Sequence, residues 1–270
     1  MDHRLRGDHR ATTRNDQVRE LIEKEEVVRT GDGPMTVTVR HPDDSGPFPV
    51  VIVYHDGPGL RADIHDVSRK LAGAGYYAVL PDLYHRLGRQ ISFDLAGIGQ
   101  GPGSPEFDRL MAAVTSLSDD MVLADTAAML EVTAKDPAAD MNAKAAMGFC
   151  MGARFTLRLL AADPAGYAAG SALHPSNCVT DDPDSPHRSV GKISAELFVG
   201  LGAADKLSPL ELNKPLRDEL GRPPVKATVE IFDGADHGFM FPQLPAYQQH
   251  AASVSWDRTL ELFHRTLGKR

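Results

Sequence analysis

Three side chains in this chain of 270 residues have the types and settings to do nucleophilic chemistry together: Cys150, Asp205 and His237. Cys150 sits in Gly148-Phe149-Cys150-Met151-Gly152, between an apolar run and a helical pattern. A cysteine attacks as its thiolate, so it needs a base or a positive field beside it, and a helix N-terminus supplies part of that field. In a sharp strand-to-helix turn, residue 150 would be strained and exposed above a sheet. Gly148 and Gly152 would remove the Cβ atoms that collide as the chain doubles back. The N–H of Met151 would be left free to bind an oxyanion. By itself Gly-x-Cys-x-Gly is a weak signal, because glycines and buried cysteines also pack together in cores. The partners strengthen it. Asp205 stands just past the apolar run Leu197-Phe-Val-Gly-Leu201, and His237 lies in Asp233-Gly-Ala-Asp-His-Gly-Phe239. Nucleophile, then acid, then histidine is one chain order in which a triad is built, and no Gly-x-Ser-x-Gly offers a competing serine.

Such residues need a sheet to hold them. Residues 24–29 and 35–40 are β-rich runs around an Asp32-Gly33 turn signal and read as a hairpin. Residues 49–54 form a short, continuous apolar run rich in β-branched side chains, the pattern of a strand buried on both faces. Ile64, Val67 and Leu71 recur at helical spacing, Gly73-Ala-Gly75 closes that helix, and 78–82 is the next strand. Strand, helix, strand with apolar strands means right-handed crossovers in a mostly parallel sheet. The pattern continues with a helix opened by Ser104-Pro105 and running to about Leu117, and a second one capped by Ser118. Strands follow at 144–149, 167–173, 196–201 and 227–232, with helices at 151–162, 209–220 and 246–267. The fold class is therefore α/β, and Cys150, Asp205 and His237 all fall beyond the C-terminal ends of strands, where such sheets build their sites. Two loops stand out: 88–105 is glycine-rich, and 178–191 carries Asp181, Asp182 and Asp184.

The chain resembles the dienelactone hydrolase (carboxymethylenebutenolidase) family of alpha/beta hydrolases from Pro49 to the C-terminus. The resemblance is carried by Val50-Val-Ile-Val-Tyr-His-Asp56, Gly75-Tyr-Tyr-Ala-Val-Leu-Pro-Asp-Leu-Tyr84, Met147-Gly-Phe-Cys-Met-Gly-Ala153, Gly202-Ala-Ala-Asp205 and Gly234-Ala-Asp-His-Gly-Phe239. The elbow cysteine is the most family-specific of these. The resemblance implies an alpha/beta-hydrolase fold, with a mostly parallel central sheet and helices on both faces. It also implies a Cys150–His237–Asp205 triad, hydrolysis of small esters or lactones through a thioester, no metal or other cofactor, and an oxyanion hole from the N–H groups of Gly57 and Met151. Two positions depart from the family. The family's Glu after the first catalytic strand, which controls the thiol proton, is Asp56 here. The family's Arg shortly after the histidine, which helps hold a substrate carboxylate, is replaced by the stretch Met240-Phe241-Pro242. Asp56 is therefore expected near the site but loosely coupled, and neutral or differently charged esters are expected over dienelactone. Phe239, Met240 and Phe241 are expected to form an apolar pocket wall, with the 88–105 loop as its cover.

Composition bounds the rest. Hydrophobic residues make up 42% of the chain, enough for a large core, so global disorder is excluded. Lys and Arg number 29 against 37 Asp and Glu, a net charge of −8 that argues against a nucleic-acid partner. No run approaches the roughly 18 apolar residues of a membrane span. Two cysteines cannot form a disulfide framework, and a cytoplasmic setting is expected. Residues 1–20 read as a flexible arm and 21–270 as a single domain, a monomer or homodimer acting on a small molecule. His55, Asp56, Asp63, His65 and Asp66 lack metal-ligand spacing, so no metal is expected. Gly99-Gln-Gly-Pro-Gly103 lacks the Lys-Ser/Thr of a phosphate loop. An alternative from another class is a redox-responsive thiol protein using Cys150, with Cys178 as a resolving thiol, which would show no ester turnover. A ligand-binding protein with a degenerate site would need a missing triad member, and all three are present.

Overall fold

Seven consecutive residues, the strand β3 (Phe48–Tyr54), are all buried. The computed structural model, which describes residues 19–268, shows why. Val50, Ile52 and Tyr54 point into one apolar cluster and Val51 and Val53 into another, so each side of the strand is covered by a helical layer. A continuous apolar run is what a strand in that position requires, since alternate side chains face opposite layers. Burial of each such side chain contributes about 1.5–3 kcal/mol.

The sheet has eight strands. β1 (Leu21–Thr30) and β2 (Gly33–Pro42) form the expected hairpin at one edge. Thr30 pairs with Gly33, so the two-residue turn is Gly31-Asp32, one residue before the Asp32-Gly33 signal. β2 also pairs antiparallel with β4 (Tyr77–Pro81). From β4 onward all pairings are parallel, through β3, β5 (Ala139–Phe149), β6 (Ala169–Leu173), β7 (Glu196–Gly202) and β8 (Lys226–Phe232). The spatial order β1-β2-β4-β3-β5-β6-β7-β8 makes β3 and β5 the two central strands, adjacent and parallel as expected.

Helix α1 (Ala62–Gly73) and the long α7 (Gln249–Leu267) cover the Val51/Val53 face. Helices α3 (Pro105–Thr115), α4 (Asp119–Thr133), α5 (Met151–Ala162) and α6 (Lys214–Leu220) contribute to the cluster on the other face. The predicted caps are present: the Ser104 and Ser118 side chains accept from the N–H groups of Phe107 and Met121. Helix α6 begins later than periodicity suggests, because Asn213 Nδ2 bonds to Ser208 and Pro209 carbonyls and holds the preceding segment as a turn. The glycine-rich 88–105 segment contains a one-turn helix, α2 (Leu95–Ile98), capped by Asp94. Residues 1–18 of the expected N-terminal arm lie outside the described residues. Among the described residues no helix is long and apolar enough to cross a membrane.

Candidate active site

The β5–α5 junction is a sharp elbow. Cys150 sits at φ 56° and ψ −118°, a strained backbone for a residue with a side chain. Its N–H donates to Leu173 O at 3.0 Å, and its carbonyl accepts from Ser176 N at 3.2 Å, so β6 and the loop after it hold the turn. The flanking glycines are required by contact. A Cβ on Gly148 would lie 2.1 Å from Gly152 O, and one on Gly152 would lie 2.5 Å from the carbonyl oxygens of Tyr54 and His55. The elbow is therefore pressed directly against the end of β3, which brings the loop after β3 beside it.

Asp205 and His237 meet because the loops after β7 and β8 are tied together. Ala204 N donates to Ala235 O at 2.9 Å. Asp236 Oδ1 accepts from Lys206 N at 3.0 Å and from His237 N at 2.8 Å, a role that chain order alone does not reveal. Asp205 Oδ1 is occupied by the N–H groups of Leu207 (2.9 Å) and Ser208 (2.7 Å). Its Oδ2 is left for His237 Nδ1, at 2.8 Å. That bond assigns the proton to Nδ1 in the neutral ring and leaves Nε2 on the side of Cys150, without another hydrogen-bond partner. Burial works against a charged His237, but the Cys150 charge and the Asp205 hydrogen bond outweigh it and push the imidazole up to about 10. Burial raises the Cys150 thiol, yet the His237 charge, aided by Ser176, brings it below the usual thiol value, while Asp56 opposes them. The Sγ atom itself makes its hydrogen bond to Ser176 Oγ, at 3.3 Å.

Gly57 follows β3 and Met151 opens α5, on the two central strands. Tyr84 binds both segments: its hydroxyl donates to Gly57 O at 2.8 Å and approaches Met151 Sδ at 3.6 Å. Among the described residues no acceptor engages the N–H of Gly57 or of Met151. Tyr84 was part of the family pattern, but its link to both expected oxyanion donors is visible only in three dimensions.

Asp56 lies near the site and makes no hydrogen bond to Cys150, on which its charge acts more weakly than His237 or Ser176. What the expectation missed is its holder: Asp56 is buried in a bidentate ion pair with Arg61, at the N-terminus of α1, with Arg61 Nη2 2.9 Å from Oδ2. The guanidinium lies 4.6 Å from the Phe241 ring centroid. Arg61, only five residues on, carries no mark of this role in the sequence, since the family's arginine lies after the histidine. The expected apolar wall is not seen at the triad. Met240 and Phe241 line a cleft between α1 and α7 whose lining includes none of Cys150, Asp205 and His237, and Phe239 is fully buried against Phe232 and His174 and belongs to the core beneath the histidine loop. Arg86 is occupied by Asp125 and Asp32. The 88–105 segment is anchored by a Gly59–Ser92 bridge and by Phe93 packed edge-on against Tyr84.

His174 was not anticipated. It follows β6 directly at φ 37°, is buried, and stands edge-on to the His237 ring at 5.1 Å between centroids. Burial, with the His237 charge beside it, keeps its pKa well below the usual histidine value. Cys178 is buried, and burial pushes its thiol up to about 12.

Known proteins of this shape agree with the motifs. The model of the dienelactone hydrolase family matches residues 35–267. An Escherichia coli protein named "Putative carboxymethylenebutenolidase" is 28% identical over 243 residues, covering 89% of this chain and 85% of its own. The carboxymethylenebutenolidase of Rhodococcus opacus is 26% identical over 232 residues, covering 83% and 84%. A Klebsiella pneumoniae crystal structure titled "Putative Dienelactone Hydrolase" superposes with a TM-score of 0.78 at 25% identity, over 91% of this chain and 99% of that one. With its motifs, its eight-stranded alpha/beta-hydrolase sheet and a family match spanning nearly the whole described chain, this protein belongs to the dienelactone hydrolase family and is a hydrolase of ester or lactone bonds.

Proposed function

We propose that the hydrolysis runs through Cys150, His237 and Asp205 by way of a thioester acyl-enzyme. The observation that carries this is the 2.8 Å bond from His237 Nδ1 to Asp205, which leaves Nε2 beside the elbow cysteine without another partner. His237 takes the thiol proton, and Cys150 Sγ attacks the carbonyl carbon of the ester or lactone. The tetrahedral oxyanion is held by the N–H groups of Gly57 and Met151. The C–O bond to the leaving group breaks, and His237 returns its proton to the departing alkoxide. Water then attacks the thioester with His237 as base, the S–C bond breaks, and the acid leaves. Asp205 keeps the imidazole in one tautomer and stabilises the imidazolium without taking the proton.

The Asp56–Arg61 pair bears on substrate choice. Arg61 is already committed to Asp56, and Asp63 lies 3.5 Å from its Nε, so no positive charge is left over there for a substrate carboxylate. Neutral esters are therefore favoured over an anionic lactone of similar size. The redox alternative is weaker, because a buried Cys178 thiol pushed up to about 12 is a poor resolving partner.

A panel of neutral and anionic esters and lactones tests the reading. Cys150→Ala and His237→Ala should each abolish nearly all turnover with the fold retained, and Asp205→Asn should lower it by roughly 10²–10⁴-fold. Wild-type turnover by Cys150→Ala would overturn the mechanism. A large preference for the anionic compound, lost in Arg61→Gln, would overturn the substrate claim alone.

A further inference from the structure

We infer that Ser176 is the resting partner of the nucleophile: its hydroxyl holds the Cys150 sulfur and stabilises it as a thiolate, a task that the carboxylate after β3 does not perform in this chain. The inference rests on the reading of Cys150 as nucleophile.

Two contacts join the residues. Ser176 N donates to Cys150 O at 3.2 Å, and Ser176 Oγ lies 3.3 Å from Cys150 Sγ. Backbone and side chain of one residue thus grip backbone and side chain of the other. The serine is itself buried, on the segment after β6 whose strained His174 turns the chain back over the elbow. A hydroxyl at this place is chemically apt. It accepts from a neutral thiol and, by rotating about its C–O bond, donates to a thiolate, so it serves both protonation states. A carboxylate accepts only, and its charge disfavours a neighbouring thiolate. Asp56, the carboxylate in position to do this, is turned to Arg61 through both oxygens.

The titratable groups that act on Cys150 come from four loops. His237 favours the thiolate, and Asp56 opposes it. Tyr84 and Cys178 interact with its charge but are held neutral by burial. Arg61 is spent on Asp56, and His174 contacts the His237 ring rather than the thiol. Ser176 is the uncharged donor in this set. The protons balance simply: the thiol proton passes to His237 Nε2, while Ser176 keeps its own and directs it at the sulfur. The same hydrogen bond receives the thiolate when deacylation breaks the S–C bond.

The consequence is a nucleophile ready without substrate. Alkylation by iodoacetamide, followed across pH in the absence of ester, reads the thiolate directly. Wild type should react with a midpoint below that of a free thiol. In Ser176→Ala the midpoint should rise by about one pH unit, the order expected for loss of a hydrogen bond to a charged group. Ser176→Thr, which keeps the hydroxyl, should stay near wild type. Ser176→Gly removes the hydroxyl while keeping the N–H bond to Cys150, and it carries the same expectation should the alanine variant fail to fold. With the best ester of the panel, kcat/KM of Ser176→Ala should fall about tenfold, mainly through kcat. A midpoint unchanged or lowered in both Ser176→Ala and Ser176→Gly would overturn the inference. The two readings fail separately: turnover surviving in Cys150→Ala would sink the hydrolytic mechanism while leaving the alkylation profile to stand, and an unmoved midpoint with Cys150-dependent turnover would sink only the role of Ser176.

Discussion

At the residue scale the site is a set of neighbouring charges whose signs decide its chemistry. Against the penalty of burial, Cys150 and Asp205 push the His237 imidazole up to about 10, and His237 in turn brings the Cys150 thiol below its usual range. A raised histidine pKa means the imidazolium persists as pH rises until that value is passed. In the proposed mechanism the imidazolium protonates the leaving alkoxide, so kcat/KM should climb as the thiolate forms and fall again as pH rises through about 10. A profile that stays flat across that region would show that proton donation by His237 is not needed. Arg61 makes a second prediction. It and Asp56 are both nearly inaccessible, with side chains 8% and 3% exposed, so removing Arg61 leaves Asp56 buried and unpaired. Arg61→Met should cost about 3–5 kcal/mol in stability, measured by chemical denaturation. A loss below 1 kcal/mol would show that Asp56 finds water or another partner.

At the element scale the β5–α5 elbow is where local sequence and packing coincide. Gly148 has a backbone carbonyl 2.1 Å from where a Cβ would stand, and a backbone atom cannot swing aside as a flexible side chain can. Gly148→Ala should therefore distort the elbow, removing turnover and lowering the melting temperature. Gly191→Ala is the control, since nothing lies within 4 Å of its Cβ position, and its effect should stay within about 0.5 kcal/mol. Equal effects of the two would mean that the close approach at Gly148 relaxes cheaply. The elements themselves were mostly legible. Ser104-Pro105 and Ser118 announce helix starts through side-chain caps, which are local interactions. The late start of α6 was not legible, because Asn213 spends its amide on carbonyls that only the folded turn presents.

At the scale of the whole molecule, two apolar layers sandwich a sheet whose centre is β3 and β5 and whose edges are β1 and β8. β3 is buried throughout, whereas β8 alternates between exposed and half-buried residues along most of its length. Amide hydrogen exchange should therefore be slowest in β3 and the C-terminal half of β5 and clearly faster in β1 and β8, because edge strands open without breaching either core. Slow exchange in β8 equal to that in β3 would point to a partner covering that edge.

Features set by neighbours along the chain could be read from residue types alone: the apolar run that must be a buried strand, the capping serines, the glycine-flanked elbow, and the order of cysteine, aspartate and histidine. Periodicity, turn chemistry and steric exclusion act over a few residues, so the residue types record them. The tertiary structure decided the rest. Asp56 pairs with Arg61, Ser176 meets Cys150, Asp236 ties two loops, and Phe239 turns inward to the core. Each of these depends on which side chains converge once the strands are ordered in space. A carboxylate five residues from an arginine, or a serine after a strand, carries no mark of its partner until packing excludes water and leaves one geometry in which both polar groups are satisfied.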